Sequence, residues 1–233
     1  MLKINRLRLC ALVSMLLTGL AVCRARADLY SLSAGGTITT NLSGDSTIPV
    51  GTPWSFQLTY DTTAPDRDFV IGSPDPTFGR YDNVGVPPAL RFFHFKAGTY
   101  EVTLNSPANF ASGEMLITFT TANAIDINIS APTLFPHLAG GPVSFHADFN
   151  AFSAAPIFAS DALPTNTNLS PGSFDQSAVT LLPPSGVVTT SNITAFAITR
   201  VPEPASAMLA CGLLTPFLLS RRTRSSSRRV TDA

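Results

Sequence analysis

The sequence predicts an all-β body, a single antiparallel β-sandwich ectodomain of the jelly-roll or Ig-like kind, followed by one short C-terminal transmembrane helix. Three observations carry this. Apolar and polar residues alternate with a period of two in repeated short segments between residues 54 and 149. Prolines and glycines punctuate the intervals between those segments. No part of the body sustains the i, i+3, i+4, i+7 apolar stripe of a capped helix.

The chain opens on a basic stretch with Lys3, Arg6 and Arg8, continues through an apolar run from Leu9 to Val22, and reaches Ala25-Arg26-Ala27. Ala25 and Ala27 make the small-x-small pattern after which signal peptidase cuts, so residues 1–27 are expected to be an export signal and Asp28 the first mature residue. The 14 apolar residues fall short of the roughly 20 that span a bilayer as a helix. Leu20-Ala21-Val22-Cys23 has the outline of a lipoprotein signal, but Val22 stands where a small residue is required.

In the body, 28–200, strands are expected in order. The first covers Gly36–Leu42, and the next carries Trp54, Phe56, Leu58 and Tyr60 on one face. Leu90–Phe95 follows, then faces made by Tyr100, Val102 and Leu104, by Met115, Ile117 and Phe119, by Ile125, Ile127 and Ile129, and by Val143, Phe145, Ala147 and Phe149. Ser177–Leu182 and Asn192–Thr199 complete the set. One-sided alternation gives each sheet one dry face, and two such faces packed about 10 Å apart bury most of the 16 phenylalanines as core.

The 173 residues from Asp28 to Arg200 suffice for one domain with its own core. Cys10 and Cys23 fall in the export signal and Cys211 in the tail, so the body has no disulfide, no thiol nucleophile and no Cys-ligated zinc. The neutral charge of the whole chain is misleading. The body holds five basic residues (Arg67, Arg80, Arg91, Lys96, Arg200) against thirteen acids, a formal charge of −8. That excludes nucleic acid as a partner, since phosphate binding needs a basic surface. An anionic polysaccharide would have to be met through neutral contacts or bridging cations.

Residues 61–89 read as a long loop with five prolines and five acids, beyond the length of an ordinary hairpin connection. A second irregular stretch covers Ala155–Pro171. Asp61, Asp66, Asp68, Asp75 and Asp82 offer hard oxygen donors in the first loop, and Asp66, Asp68 and Asp75 are weak calcium candidates. Asp66-Arg67-Asp68 only partly matches a calcium loop, because Val70 holds the third ligand position and no Glu closes the cage. The expectation is a solvated acidic loop and no cofactor.

No enzyme signature stands out. His94, His137 and His146 form no His-Glu-x-x-His pair, and no Gly-x-Ser-x-Gly elbow occurs. His94 is expected to face solvent and His146 to lie on the polar face opposite Phe145. The residual enzyme reading is a glycoside-type hydrolase with Glu101 and Glu114 paired across a hairpin as acid and base.

After the body comes Val201-Pro202-Glu203-Pro204-Ala205-Ser206, an apolar run to Ser220, and the basic residues Arg221, Arg222, Arg224, Arg228 and Arg229. The prolines keep the motif extended. The 16 residues 205–220 make a helix of about 24 Å, shorter than a hydrocarbon core of about 30 Å, and Pro216 weakens its last turn. The arginines act as a cytoplasmic stop, which places the body on the other side of the inner membrane.

This tail, residues 201–229, resembles the PEP-CTERM sorting signal of Gram-negative bacteria that make extracellular polysaccharide. The resemblance implies that Pro202, Glu203 and Pro204 are recognition residues for an integral-membrane exosortase, which cuts near the motif and passes the protein to the outer surface or extracellular matrix. It implies a structural or adhesive role in a polysaccharide matrix or biofilm. A carbohydrate-binding or carbohydrate-active protein and a permanently anchored single-pass membrane protein are the alternatives. The stretch Gly51 to Asp61 with Phe78-Gly-Arg-Tyr81 is also similar to the opening of uncharacterised PEP-CTERM ectodomains, which carry no assigned activity.

Overall fold

The structure, a computed structural model, describes residues 28–67, 77–84, 86–110, 112–118, 123–152, 157–158, 160–184, 186–190 and 192–202. These form twelve strands and two single-turn 3-10 helices. The strands are β1 (Leu29–Thr37), β2 (Thr40–Asn41), β3 (Pro53–Asp61), β4 (Phe78–Asp82), β5 (Leu90–Ala97), β6 (Tyr100–Leu104), β7 (Ser112–Thr118), β8 (Ala124–Ser130), β9 (Ser144–Asn150), β10 (Gln176–Leu182), β11 (Val188–Thr190) and β12 (Asn192–Arg200). The protein is all-β, in two antiparallel sheets. One has the order β12-β1-β3-β5-β6 and the other β2-β11-β10-β9-β8-β7-β4.

Alternation decides which face of each strand is dry. Trp54, Phe56, Leu58 and Tyr60 of β3 are buried, as are Ile125, Ile127 and Ile129 of β8 and Phe145, Ala147 and Phe149 of β9. The two dry faces meet through aromatic rings. Phe145 stands edge-on to Phe56 at 5.1 Å and to Phe93 at 4.8 Å between centroids, while Phe149, Phe174 and Phe196 form a second knot with spacings of 4.8–5.5 Å. Such pairs contribute about 0.5–1.5 kcal/mol each beyond the area they bury. Every residue of this core lies between Leu32 and Ile198.

One corner ties the sheets together. β1 pairs with β12 in the five-stranded sheet, and their continuations β2 and β11 pair in the seven-stranded sheet. Only Ile38 and Thr39 separate β1 from β2, and only Ser191 separates β11 from β12. A two-stranded ribbon therefore bends from one sheet into the other, a device that turns sandwich corners. At the bend, Gly35 opposes Ala195 but Gly36 opposes Ile193, so Thr194 is the extra residue of a bulge. Ile38, 3% exposed, plugs the corner, its amide donating to the Thr52 carbonyl at 2.9 Å.

Four strands depart from expectation. The strand expected over Gly36–Leu42 is split between β1, which begins at Leu29, and β2; β11 was not expected; and β4 lies inside the stretch read as a 29-residue loop. Phe78-Gly-Arg-Tyr-Asp lacks clean alternation because it is a short edge strand. Its Gly79 lies where a Cβ would come within 2.2 Å of the Asp161 carbonyl oxygen, so close backbone packing replaces an inward apolar side chain. Phe119 and the helix expected over 205–220 fall outside the described residues. Among the described residues no helix is long and apolar enough to cross a membrane.

A Cβ on Gly36 would lie 1.9 Å from the Asn192 carbonyl oxygen, a backbone atom that the ribbon holds in place. Gly36→Ala is therefore expected to destabilise the fold by roughly 3 kcal/mol, at the upper end of overpacking costs. Gly172→Ala, whose Cβ meets only the Ser170 hydroxyl at 3.9 Å, should change stability by less than about 0.5 kcal/mol. Denaturant unfolding of the two variants measures the contrast.

Candidate functional site

The strand pairing of β1 with β12 brings the two ends of the body to one pole. Tyr30 opposes Arg200, the Val201 amide donates to the Leu29 carbonyl at 2.8 Å, and the Arg200 guanidinium donates through Nε and Nη2 to the Asp28 carboxylate at 3.0 and 2.6 Å. The Thr62 amide and hydroxyl both donate to the Asp28 carbonyl at 3.0 Å. Pro202 is exposed just past the last ladder bond. Ala25, Ala27, Glu203, Pro204, Arg221, Arg222 and Arg224 lie outside the described residues.

The acids of the first loop divide into separate roles. Asp61, fully buried, accepts from Arg91 Nη2 at 2.6 Å and from the Thr63 hydroxyl at 2.6 Å and amide at 3.0 Å. Burial by itself would raise its pKa, but the Thr63 and Arg91 hydrogen bonds outweigh it and hold the carboxyl below the usual range. Asp82, 9% exposed, accepts from Arg67 at 3.4 Å and from the Val84 amide at 2.9 Å. Asp66 accepts from the Arg80 amide at 2.9 Å, which joins the loop to β4. Asp61 and Asp82 are therefore structural ties rather than open cation ligands, while Asp68 and Asp75 lie outside the described residues.

Glu101 and Glu114 are not brought together. Glu101 sits on β6 of the five-stranded sheet, paired with His94 at 2.9 Å and Lys96 at 3.1 Å. Glu114 sits on β7 of the other sheet, paired with Arg80 at 2.8 Å.

The structure instead assembles a group that sequence reading passed over. On the outer face of the seven-stranded sheet, register places Asp126 of β8 directly opposite Asp148 of β9, with His146 two residues before Asp148 on the same face. His146 Nε2 lies 3.2 Å from Asp126 Oδ1 and its Nδ1 lies 3.4 Å from Asp148 Oδ2. Asn128 donates its amide to Asp126 Oδ1 at 2.8 Å. All three titratable side chains are about 30% exposed (29%, 30% and 33%). The hydrogen bond to Asp126, helped by the Asp126 and Asp148 charges against the opposing effect of burial, lifts the imidazole above its ordinary value. Burial, then the charge and hydrogen bond of Asp126, push the Asp148 carboxyl up to about 6 against the pull of His146.

Asn128 also lines a cleft of about 640 Å³ at the adjoining end of the sheet, with Arg80, Glu114, Ser130, Ser144 and Phe110. Hydroxyls, an amide and an ion pair share its lining with the apolar Val84, Phe110 and Ile129. The sequence signal for the cluster was His146-Ala147-Asp148, which puts two donors on one strand face. The third donor depends on register across a 13-residue connection, 131–143, that no local pattern fixes. No family model, no curated protein and no solved structure matches the chain.

Two outcomes follow from these ionisations. Because Asp61 titrates below its unfolded value, its contribution to stability is present above the ordinary carboxylate range and lost as pH falls through its lowered folded value. Asp61→Asn should cost about 3 kcal/mol at pH 7, the low end for a buried pair broken on one side because Arg91 is partly exposed, with the deficit shrinking in acid unfolding measurements. Asp148 has the opposite sign: its raised folded value makes its charge a penalty that builds between 3.8 and about 6 and stays constant above. Asp148→Asn should therefore raise the unfolding temperature at pH 7 in the presence of chelator and have little effect at pH 4.

Proposed function

We propose that this chain is an exported, exosortase-sorted surface or matrix protein of the PEP-CTERM type, whose body is a β-sandwich with a structural or adhesive role in extracellular polysaccharide or biofilm. The observation that carries the reading is the C-terminal order of Pro202-Glu203-Pro204, a short apolar run and Arg221-Arg222-Thr223-Arg224. The two sheets are read as leaves on one core, as in jelly-roll and Ig-like domains, with the β7 to β11 meander as the body's own feature. The fold supports the domain boundaries. The last ladder bond is made by Val201, and Pro202, which has no N–H to donate, starts the motif outside the sheet.

The pole geometry supports the route as well. Asp28, the expected first mature residue, is clamped to Arg200, two residues before Pro202 of the sorting motif, so the two ends of the described body lie side by side. The negative body suits neutral contacts or cation bridges to polysaccharide, not a bare ionic contact with an acidic polymer. A saccharide-binding role is the second reading, favoured by the cleft in which Asn128, Ser130 and Ser144 stand beside apolar surface.

The test is the intact mass of the protein recovered from the cells that make it, in membrane and extracellular fractions. The extracellular species should begin at Asp28 and end between Pro202 and Ala205. A variant with Pro202→Ala and Glu203→Ala should accumulate in the membrane with its C-terminal arginines intact. If the unaltered chain keeps residues up to Ala233 and stays in the membrane, the sorting reading fails and a permanently anchored ectodomain stands.

A further inference from the structure

We propose that Asp126, His146 and Asp148 form a binding site for a divalent cation of the zinc class on the outer face of the seven-stranded sheet. This does not rest on the sorting reading, and either can fail alone.

The geometry suits the ion. One donor atom from each residue can be chosen so that all three lie within 4.8 Å of one another. Donors around a tetrahedral zinc with bonds of about 2.0–2.1 Å stand roughly 3.3 Å apart. His146 already stands at 3.2 Å from Asp126 and 3.4 Å from Asp148, using its two nitrogens in turn, so rotation of side chains gathers one nitrogen and two oxygens around an ion. The backbone beneath is an interior part of the sheet. β8 and β9 pair with each other over seven residues and are flanked by β7 and β10.

The placement of the acids points the same way. Like charges directly opposite on neighbouring strands destabilise a sheet, and Asp126 and Asp148 occupy such a pair of positions. A cation between them removes that cost. Protonated His146 supplies one positive charge; a bound dication supplies two and uses the imidazole as a neutral ligand. The donor set selects among cations. Calcium takes six to eight oxygens, whereas two carboxylates and one imidazole match the mixed O and N set of zinc-type ions. The Asn128 amide orients Asp126 from outside, the role that outer groups play at metal centres. Three protein ligands leave a fourth position, and the partial exposure of all three side chains turns it toward solvent. The site is thus open to an oxygen ligand from outside.

The experiment uses the full-length chain without a polyhistidine tag, purified in non-ionic detergent, stripped with chelator and titrated with Zn²⁺ by calorimetry and with Co²⁺ by visible absorption. The expected result is one saturable Zn²⁺ site per chain and d–d bands on Co²⁺ addition. His146→Ala and Asp148→Asn should weaken Zn²⁺ binding about tenfold or more, a typical effect of disturbing a metal centre. His94→Ala, which removes an imidazole from the other sheet, should leave it unchanged, and Ca²⁺ should bind at least about tenfold more weakly than Zn²⁺. Far-UV circular dichroism verifies the fold of each variant, and Asp148→Asn serves if His146→Ala does not fold. The proposal is overturned by the absence of saturable Zn²⁺ uptake, by uptake that survives in the folded variants, or by Ca²⁺ binding as tightly as Zn²⁺.

Discussion

The close approach of Gly36 to the backbone at Asn192 is the constraint on which the rest of the arrangement depends. It lets the ribbon of β1–β2 and β12–β11 turn through the bulge at Thr194 and belong to both sheets. In each sheet this ribbon supplies the outermost strand at that side, β12 in one and β2 in the other. With it, the first and last strands are partners, and the aromatic knot of Phe149, Phe174 and Phe196 is closed from β12. The adjacency of Asp28 and Arg200 is a consequence of the same pairing, so the corner at one end of the ribbon fixes the pole at the other.

The outer face follows from the inner one. A strand has a period of two, and a slip of one residue would carry Asp126 into the core and Ile127 out to solvent. The burial of Ile125, Ile127 and Ile129 against Phe145 and Phe149 is what forbids that slip. Register between β8 and β9 is therefore set by the apolar side chains, while the charged side chains on the reverse bear its cost. The same logic separates Asp61 from the cluster. Asp61 is buried where three hydrogen-bond donors converge, so its charge is satisfied from within. Asp148 is half-buried beside another acid, so its charge is satisfied only by a cation.

The inward residues of β3, β6, β8 and β9 were legible because each strand has one wet face and one dry face, which writes alternation directly into the sequence. β4 was not legible, since an edge strand packed through Gly79 against another backbone has no inward apolar row to display. The bend at Gly36 was not legible either. A glycine pair reads as a turn, and only the opposite strand reveals that it admits a carbonyl. Of the candidate site, sequence placed His146 on the polar face but could not supply Asp126. Two-residue spacing puts donors together within a strand, whereas joining them to a neighbour requires the register that the whole core determines.

The charge balance links these levels. The body has no cysteine for a disulfide and carries thirteen acids against five basic residues, so its cohesion rests on the apolar and aromatic core together with hydrogen bonds and a few ion pairs. All five basic residues are engaged: Arg67 with Asp82, Arg80 with Glu114, Arg91 with Asp61, Lys96 with Glu101 and Arg200 with Asp28. Each holds a loop, an edge or a terminus to its neighbour. Among the described residues Asp126 and Asp148 pair with no Lys or Arg and rely on a histidine, the one side chain whose unperturbed charge is conditional near neutral pH. An acidic surface that spends its arginines on its own fold meets an anionic surrounding only through something cationic that comes from outside. The place where two of its acids already converge on an imidazole is where such a cation fits.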